Sequence, residues 1–190
     1  MLRVKLNCCL EVPVTQEVEA LKPIIYCHGW SANRTQQSGT CRDFASQGFI
    51  VFSIDFRDGT CSDWIDDEGV QRSFYHEDIY QQEPRYKQFL RRKEEVIALT
   101  DELFDGSLEK RLRAVISLAP NQRIAHEDLI VSGHSMGGAT ACLVASEDPR
   151  PKACAVLDPW LFAFEQQITN GLMRIKCPFI TLTSSHFNKE

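Results

Sequence analysis

Leu129-Ile130-Val131-Ser132-Gly133-His134-Ser135-Met136-Gly137-Gly138 is the stretch whose reading decides the fold. An apolar run of strand length leads into Gly-x-Ser-x-Gly, and the residues from Gly138 to Glu147 then read as a helix. Strand, tight turn, helix is the setting in which this pattern forms a nucleophile elbow. A serine hydroxyl is a weak nucleophile and must stand free, so that a base can reach it and a carbonyl can approach. A sharp turn achieves this by forcing Ser135 into strained backbone angles. Side chains two residues to either side would collide in such a turn, which accounts for Gly133 and Gly137. Gly138 adds a third small residue where the helix packs closely.

Working outward, the pieces that such a site requires fall in place on both sides. Upstream, Pro23-Ile24-Ile25-Tyr26-Cys27 is a continuous apolar run, the mark of a strand buried on both faces. It ends in His28-Gly29-Trp30, where glycine allows close approach to a substrate oxygen and the Trp30 amide supplies a donor. The second donor is the amide of Met136, directly after the nucleophile. His28 reads as a packing and hydrogen-bonding residue, not as a base. Downstream, Ala153-Cys154-Ala155-Val156-Leu157 is another buried strand, and Asp158 stands at its end, one helix and one strand after Ser135. An acid in that position orients a histidine and need not accept a proton.

The remaining chain completes an α/β pattern. Gln37 to Gln47 has apolar residues at helical spacing and stops at Gly48, and Phe49 to Ile54 is a strand ending at Asp55. Asp55 to Thr60 leaves the rim where open α/β sheets bind ligands. Residues 61–85 show no clear periodicity and read as a lid or binding loop. Tyr86 to Phe104 predicts one long helix, with Arg91, Arg92 and Lys93 assigned to its solvated face. Leu108 to Leu118 predicts a further helix, His126 a surface residue, and Phe179 to Thr183 the last strand. The runs at 23–27, 49–54, 129–132, 153–157 and 179–183 are expected to share one mostly parallel sheet flanked by helices, in a single domain over 1–190. This is the pattern of the α/β-hydrolase fold.

Composition narrows the function classes. Hydrophobic content of 43% and charged content of 25% are ordinary for a globular chain. A net charge of −5 without a basic stripe argues against a nucleic-acid partner. Met1 to Leu6 is too short and interrupted for a secretory signal, which favours a cytoplasmic location. The 8 cysteines, at 8, 9, 27, 41, 61, 142, 154 and 177, form no C-x-x-C pair and read as mostly reduced and structural.

A triad also needs a histidine after the acid. His186 alone follows Asp158, just beyond the last strand, with no further strand and helix before it. His28 and His134 occupy motif positions, and His76 would break the chain order. The expectation is that the catalytic histidine lies outside the 190 residues and that the hydrolase domain is incomplete at its C-terminal end.

From about Pro23 to Phe187 the chain resembles the serine-dependent platelet-activating-factor acetylhydrolases, the plasma type and its intracellular relative (group VII phospholipases A2). The segments carrying the resemblance are His28-Gly29-Trp30, Phe44 to Phe49, Phe56-Arg57-Asp58-Gly59-Thr60, Gly133 to Thr140, Ser146-Glu147-Asp148 and Leu157-Asp158-Pro159-Trp160. The resemblance implies Ser135 as nucleophile, Asp158 as acid, Trp30 and Met136 as oxyanion donors, and no metal or other cofactor. Residue 30 is usually leucine in the family, so the pocket mouth is expected to differ. The implied activity is hydrolysis of short or oxidised sn-2 acyl groups of phospholipids, with peripheral contact at a lipid surface. The alternatives are a hydrolase of other small esters or thioesters, or an inactive fragment without its base.

Overall fold

The computed structural model describes residues 14–15, 17–66, 68–74, 82–116 and 118–185. The chain begins with strand β1 (Ala20–Cys27), helix α1 (Ser38–Ser46) and strand β2 (Phe49–Ile54). A hairpin of β3 (Asp63–Ile65) and β4 (Gln71–Ser73) follows, then helices α2 (Gln82–Phe104) and α3 (Ser107–Leu112) and the two-residue strand β5 (Arg123–Ile124). Strand β6 (Ile130–His134), helix α4 (Met136–Glu147), strand β7 (Ala153–Leu157), helix α5 (Glu165–Thr169) and strand β8 (Phe179–Leu182) complete it.

The main sheet runs β2-β1-β6-β7-β8, with β5 beside the start of β1, and each of its pairings is parallel. All five apolar runs expected to share a sheet do so, and the run bearing the elbow lies at its centre. Its burial explains the composition: β1 is buried along nearly its whole length, and α4 is buried at every position from Met136 to Ser146. A helix without a polar face is one packed on all sides.

The strand order places the site. From β1 the chain crosses through α1 outward to β2, whereas from β6 it crosses through α4 to β7 on the other side. Parallel crossovers are right-handed, so the two helices cover opposite faces of the sheet. The direction of progression reverses between β1 and β6, and a crevice opens there beyond the carboxyl ends of the strands. Cys27 pairs with Gly133 at that point, so His28-Gly29 and His134-Ser135 emerge side by side. On the α4 face, Val96 and Leu103 of α2 join Ile25, Cys27, Val131, Cys142, Val144, Cys154 and Val156 in one buried cluster.

Four expectations are corrected. Residues 61–85 are not uniformly irregular: 63–65 and 71–73 form an antiparallel hairpin, and α2 starts at Gln82, ahead of the expected Tyr86. The helix expected over Leu108–Leu118 ends at Leu112, where Ala114 N and Val115 N donate to carbonyls three residues back and tighten the chain into a turn. Arg92 does not lie on a solvated face; it is fully buried. The described cysteines 27, 41, 61, 142, 154 and 177 carry free thiols, four of them buried.

Candidate active site

Ser135 joins β6 to α4 with φ 55° and ψ −123°. A non-glycine residue held there is strained by about 1–3 kcal/mol and needs its surroundings to impose the geometry. Here Ser135 N donates to Leu157 O at 3.0 Å, and Ser135 O accepts from both Trp160 N and Ala139 N at 3.0 Å. The glycines are a steric necessity. A Cβ on Gly137 would lie 2.0 Å from Cys27 O, and one on Gly133 would lie 2.5 Å from the Gly137 carbonyl carbon. Both obstacles are backbone and cannot swing aside. A Cβ on Gly138 would meet Pro159 Cα at 3.1 Å, so the third small residue lets α4 lie against the loop that follows β7.

The other predicted residues gather on the same rim. Met136 is the first residue of α4, where helix amides have no intrahelical partner. Among the described residues, neither Met136 N nor Trp30 N donates a hydrogen bond. The turn bearing Trp30 passes close to the serine: a Cβ on Gly29 would be 3.4 Å from Ser135 Cβ. Asp158 follows β7, whose Leu157 pairs with His134. It has φ 42°, its N donates to Leu182 O at 2.9 Å, and its Oδ1 accepts from Ser184 N at 2.5 Å. Pro159, Trp160, Leu161, Phe162, Glu165 and Ile168 wall a cavity of about 560 Å³ beside this rim.

Among the described residues no histidine bonds to Ser135 or Asp158. His28 is buried with both ring nitrogens engaged: Nδ1 donates to Gly29 O at 2.7 Å, and Nε2 accepts from Phe56 N at 3.3 Å. Burial first, then the neighbouring Arg92 guanidinium, push its pKa down to about 4, so the ring is neutral at pH 7. His126 packs on the Phe104 ring just ahead of β6, the end of the strand away from Ser135. His76 and His186 lie outside the described residues. The potential ligand atoms of His28, Asp55 and Cys61 come within 4.8 Å of one another. That trio is poorly suited to a cation, since both His28 nitrogens are committed and Asp55 pairs with Arg34.

The sequence reading missed the network behind the Trp30 turn. Arg92 Nε meets Asp58 Oδ2 at 2.8 Å with both side chains wholly buried, and Nη1 reaches His28 O at 2.7 Å. The signal was present: Phe89, Arg92, Val96, Leu99 and Leu103 follow one helical stripe, and Arg92 interrupts its apolar character. Arg85, one turn ahead of Phe89, is also buried, with its guanidinium 3.7 Å from the Trp30 ring centre. Phe74, just after the hairpin, meets the same tryptophan in a T-shaped pair with ring centres 5.3 Å apart.

A parallel sheet with a serine elbow at its switch point defines an α/β-hydrolase. A ferulic acid esterase from Streptomyces cinnamoneus has the same fold, with a TM-score of 0.57 and 16% identity, covering 87% of this chain and 51% of that one. The family model described as platelet-activating factor acetylhydrolase, isoform II, matches residues 3–190, and the chain belongs to that family. Platelet-activating factor acetylhydrolase of Canis lupus familiaris is 29% identical over 180 residues, covering 86% of this chain. The Bos taurus protein of the same name is 28% identical over 189 residues, again over 86% of this chain. The chain spans about 40% of the length of these curated relatives. No described helix is long and apolar enough to cross a membrane.

Proposed function

We propose that this chain carries the nucleophile, acid and oxyanion donors of a serine ester hydrolase acting on phospholipids with a short or oxidised sn-2 acyl group. The observation that carries the reading is Ser135 at φ 55° between β6 and α4, beside two amides with no described acceptor. Membership in the acetylhydrolase family supports the phospholipid substrate, and the apolar cavity after Asp158 suits a molecule with hydrocarbon parts. In this reading Ser135 Oγ attacks the ester carbonyl carbon and gives its proton to a histidine outside the described residues, which Asp158 orients. The carbonyl oxygen becomes an oxyanion held by the amides of Trp30 and Met136. The carbon–oxygen bond to the glycerol breaks, and the alcohol leaves with the proton from the histidine. A water, deprotonated by the same histidine, then attacks the acyl-serine, releasing the carboxylic acid and restoring Ser135.

The test, on a protein that includes the catalytic histidine, is covalent labelling with a fluorophosphonate, together with hydrolysis of glycerophosphocholines of graded sn-2 chain length. Stoichiometric labelling that disappears in Ser135→Ala, with turnover falling as the acyl chain lengthens, is the expected result. Labelling without phospholipid turnover, alongside hydrolysis of small unrelated esters, would overturn the substrate. Labelling that persists in Ser135→Ala would overturn the nucleophile.

A further inference from the structure

The Trp30 turn is held from behind by a buried polar assembly that touches no reacting atom. Arg92 is wholly buried on α2 and spends its guanidinium on three partners. Nε donates to Asp58 Oδ2 at 2.8 Å, Nη1 donates to His28 O at 2.7 Å, and Nη2 donates to Thr60 Oγ1. The Phe56 ring lies 4.4 Å beneath the guanidinium. The other Asp58 oxygen accepts from Thr60 N at 3.0 Å and Thr60 Oγ1 at 2.6 Å, so the carboxylate is satisfied on both sides. His28 makes the second grip: its Nε2 takes the Phe56 N–H, which leaves the ring proton on Nδ1 and directs it to Gly29 O at 2.7 Å.

We propose that the Arg92–Asp58 pair and the His28 ring form one clamp that fixes the two peptide planes flanking Gly29 and thereby aims the Trp30 N–H over Ser135. The inference rests on the reading of Trp30 as an oxyanion donor and goes beyond it by naming what orients that donor. Arg92 holds the carbonyl of the 28–29 peptide, and His28 holds the carbonyl of the 29–30 peptide. In a trans peptide the N–H points opposite to the C=O. Drawing Gly29 O toward the His28 ring therefore turns the Trp30 N–H to the opposite side. Both grips are anchored in the single segment from Phe56 to Thr60 at the end of β2. Arg92 and Asp58 are positioning residues.

Two features favour positioning over plain stabilisation. A buried ion pair contributes little net stability compared with well-packed apolar residues, so the fold alone gives scant reason to keep one. An apolar side chain could fill the space of Arg92, but it could not hold a carbonyl and a carboxylate in one plane. The rigid guanidinium fork does that, and a lysine ammonium does not.

The decisive variants are Arg92→Lys, which leaves a cation for Asp58, and Asp58→Asn, which keeps the shape of the carboxylate. The readouts, on a protein that includes the catalytic histidine, are backbone amide order parameters at Gly29 and Trp30, thermal stability, and kcat and KM on a soluble short-chain ester. The order parameters of Gly29 and Trp30 should fall from the rigid level of about 0.85 to below about 0.6 in both variants while those of Ile24–Cys27 stay as in the wild type. An oxyanion donor acts in the transition state, so kcat should fall at least about tenfold with KM within about twofold. Unchanged order parameters at Gly29 and Trp30 would overturn the clamp. So would order parameters that fall evenly along β1 with kcat falling only as the folded fraction does. If neither variant folds, the pair is a requirement of the fold, and the proposal is wrong. A wild-type protein without turnover or labelling would refute the esterase reading instead, and the order parameters would still decide the clamp.

Discussion

Among the groups through which acidification should weaken this fold, His28 is the buried one whose magnitude follows from its surroundings. In the unfolded chain a histidine titrates near its ordinary value of 6.5; in the fold, burial and the Arg92 cation lower His28 to about 4. A protonated ring would also place an Nε2 proton against the Phe56 N–H that Nε2 now accepts. Between these two values the unfolded chain binds a proton that the folded chain refuses, so stability rises with pH across that window. The contribution is fully present above pH 6.5 and is lost progressively as pH falls to about 4. Each tenfold difference in proton affinity corresponds to ~1.4 kcal/mol, so the loss is about 3 kcal/mol, a sizeable part of a typical domain's stability. Urea denaturation at intervals from pH 7 to pH 4, on the wild type and on His28→Asn, isolates the effect. Asn keeps a donor near Nδ1 but does not titrate, while carboxylates such as Asp148 and Glu127 are common to both proteins and cancel. The wild type should lose about 3 kcal/mol more than the variant over this range. Parallel stability curves for the two proteins would show that His28 is not buried as a neutral ring, and the tautomer argument for the Trp30 turn would fall with it.

Further outcomes are expected from substitutions elsewhere. Gly137→Ala puts a Cβ 2.0 Å from Cys27 O, and since backbone must move to admit it, the loss should exceed the 1–3 kcal/mol of ordinary overpacking and appear as insoluble expression. Ser135→Gly should raise the urea midpoint, with a gain of about 1 kcal/mol, because glycine adopts positive φ without strain, while fluorophosphonate labelling disappears. Phe89→Ala empties a site packed on Phe164 at 4.6 Å and on Met136 and Leu143, and should lower stability by about 3–5 kcal/mol in the same assay.

The sequence by itself determined what local pattern and steric necessity can determine. Continuous apolar runs mark strands buried on both faces, and five of them were readable and proved to share the sheet. The glycine spacing around Ser135 was readable because an elbow tolerates no side chain there, and the clash distances at Gly133 and Gly137 bear that out. The family was legible in short motifs at strand ends. Tertiary structure alone decided the matters that depend on which distant residues meet. Strand order puts the Cys27 and Gly133 ends side by side at the switch point, and the β6–β7 register puts Leu157 where it binds Ser135 N. No pattern in either segment encodes the other. The charge of Arg92 suggested solvent, since a lone buried cation is prohibitive. Its burial becomes tolerable only because Asp58, Thr60 and the His28 carbonyl, from distant parts of the chain, arrive around it together. Likewise the hairpin at 63–73 has little hydrophobic alternation, and its strands pair through backbone bonds that composition does not announce. A helical stripe shows which side of α2 faces inward; only packing shows what an arginine on that side will find there.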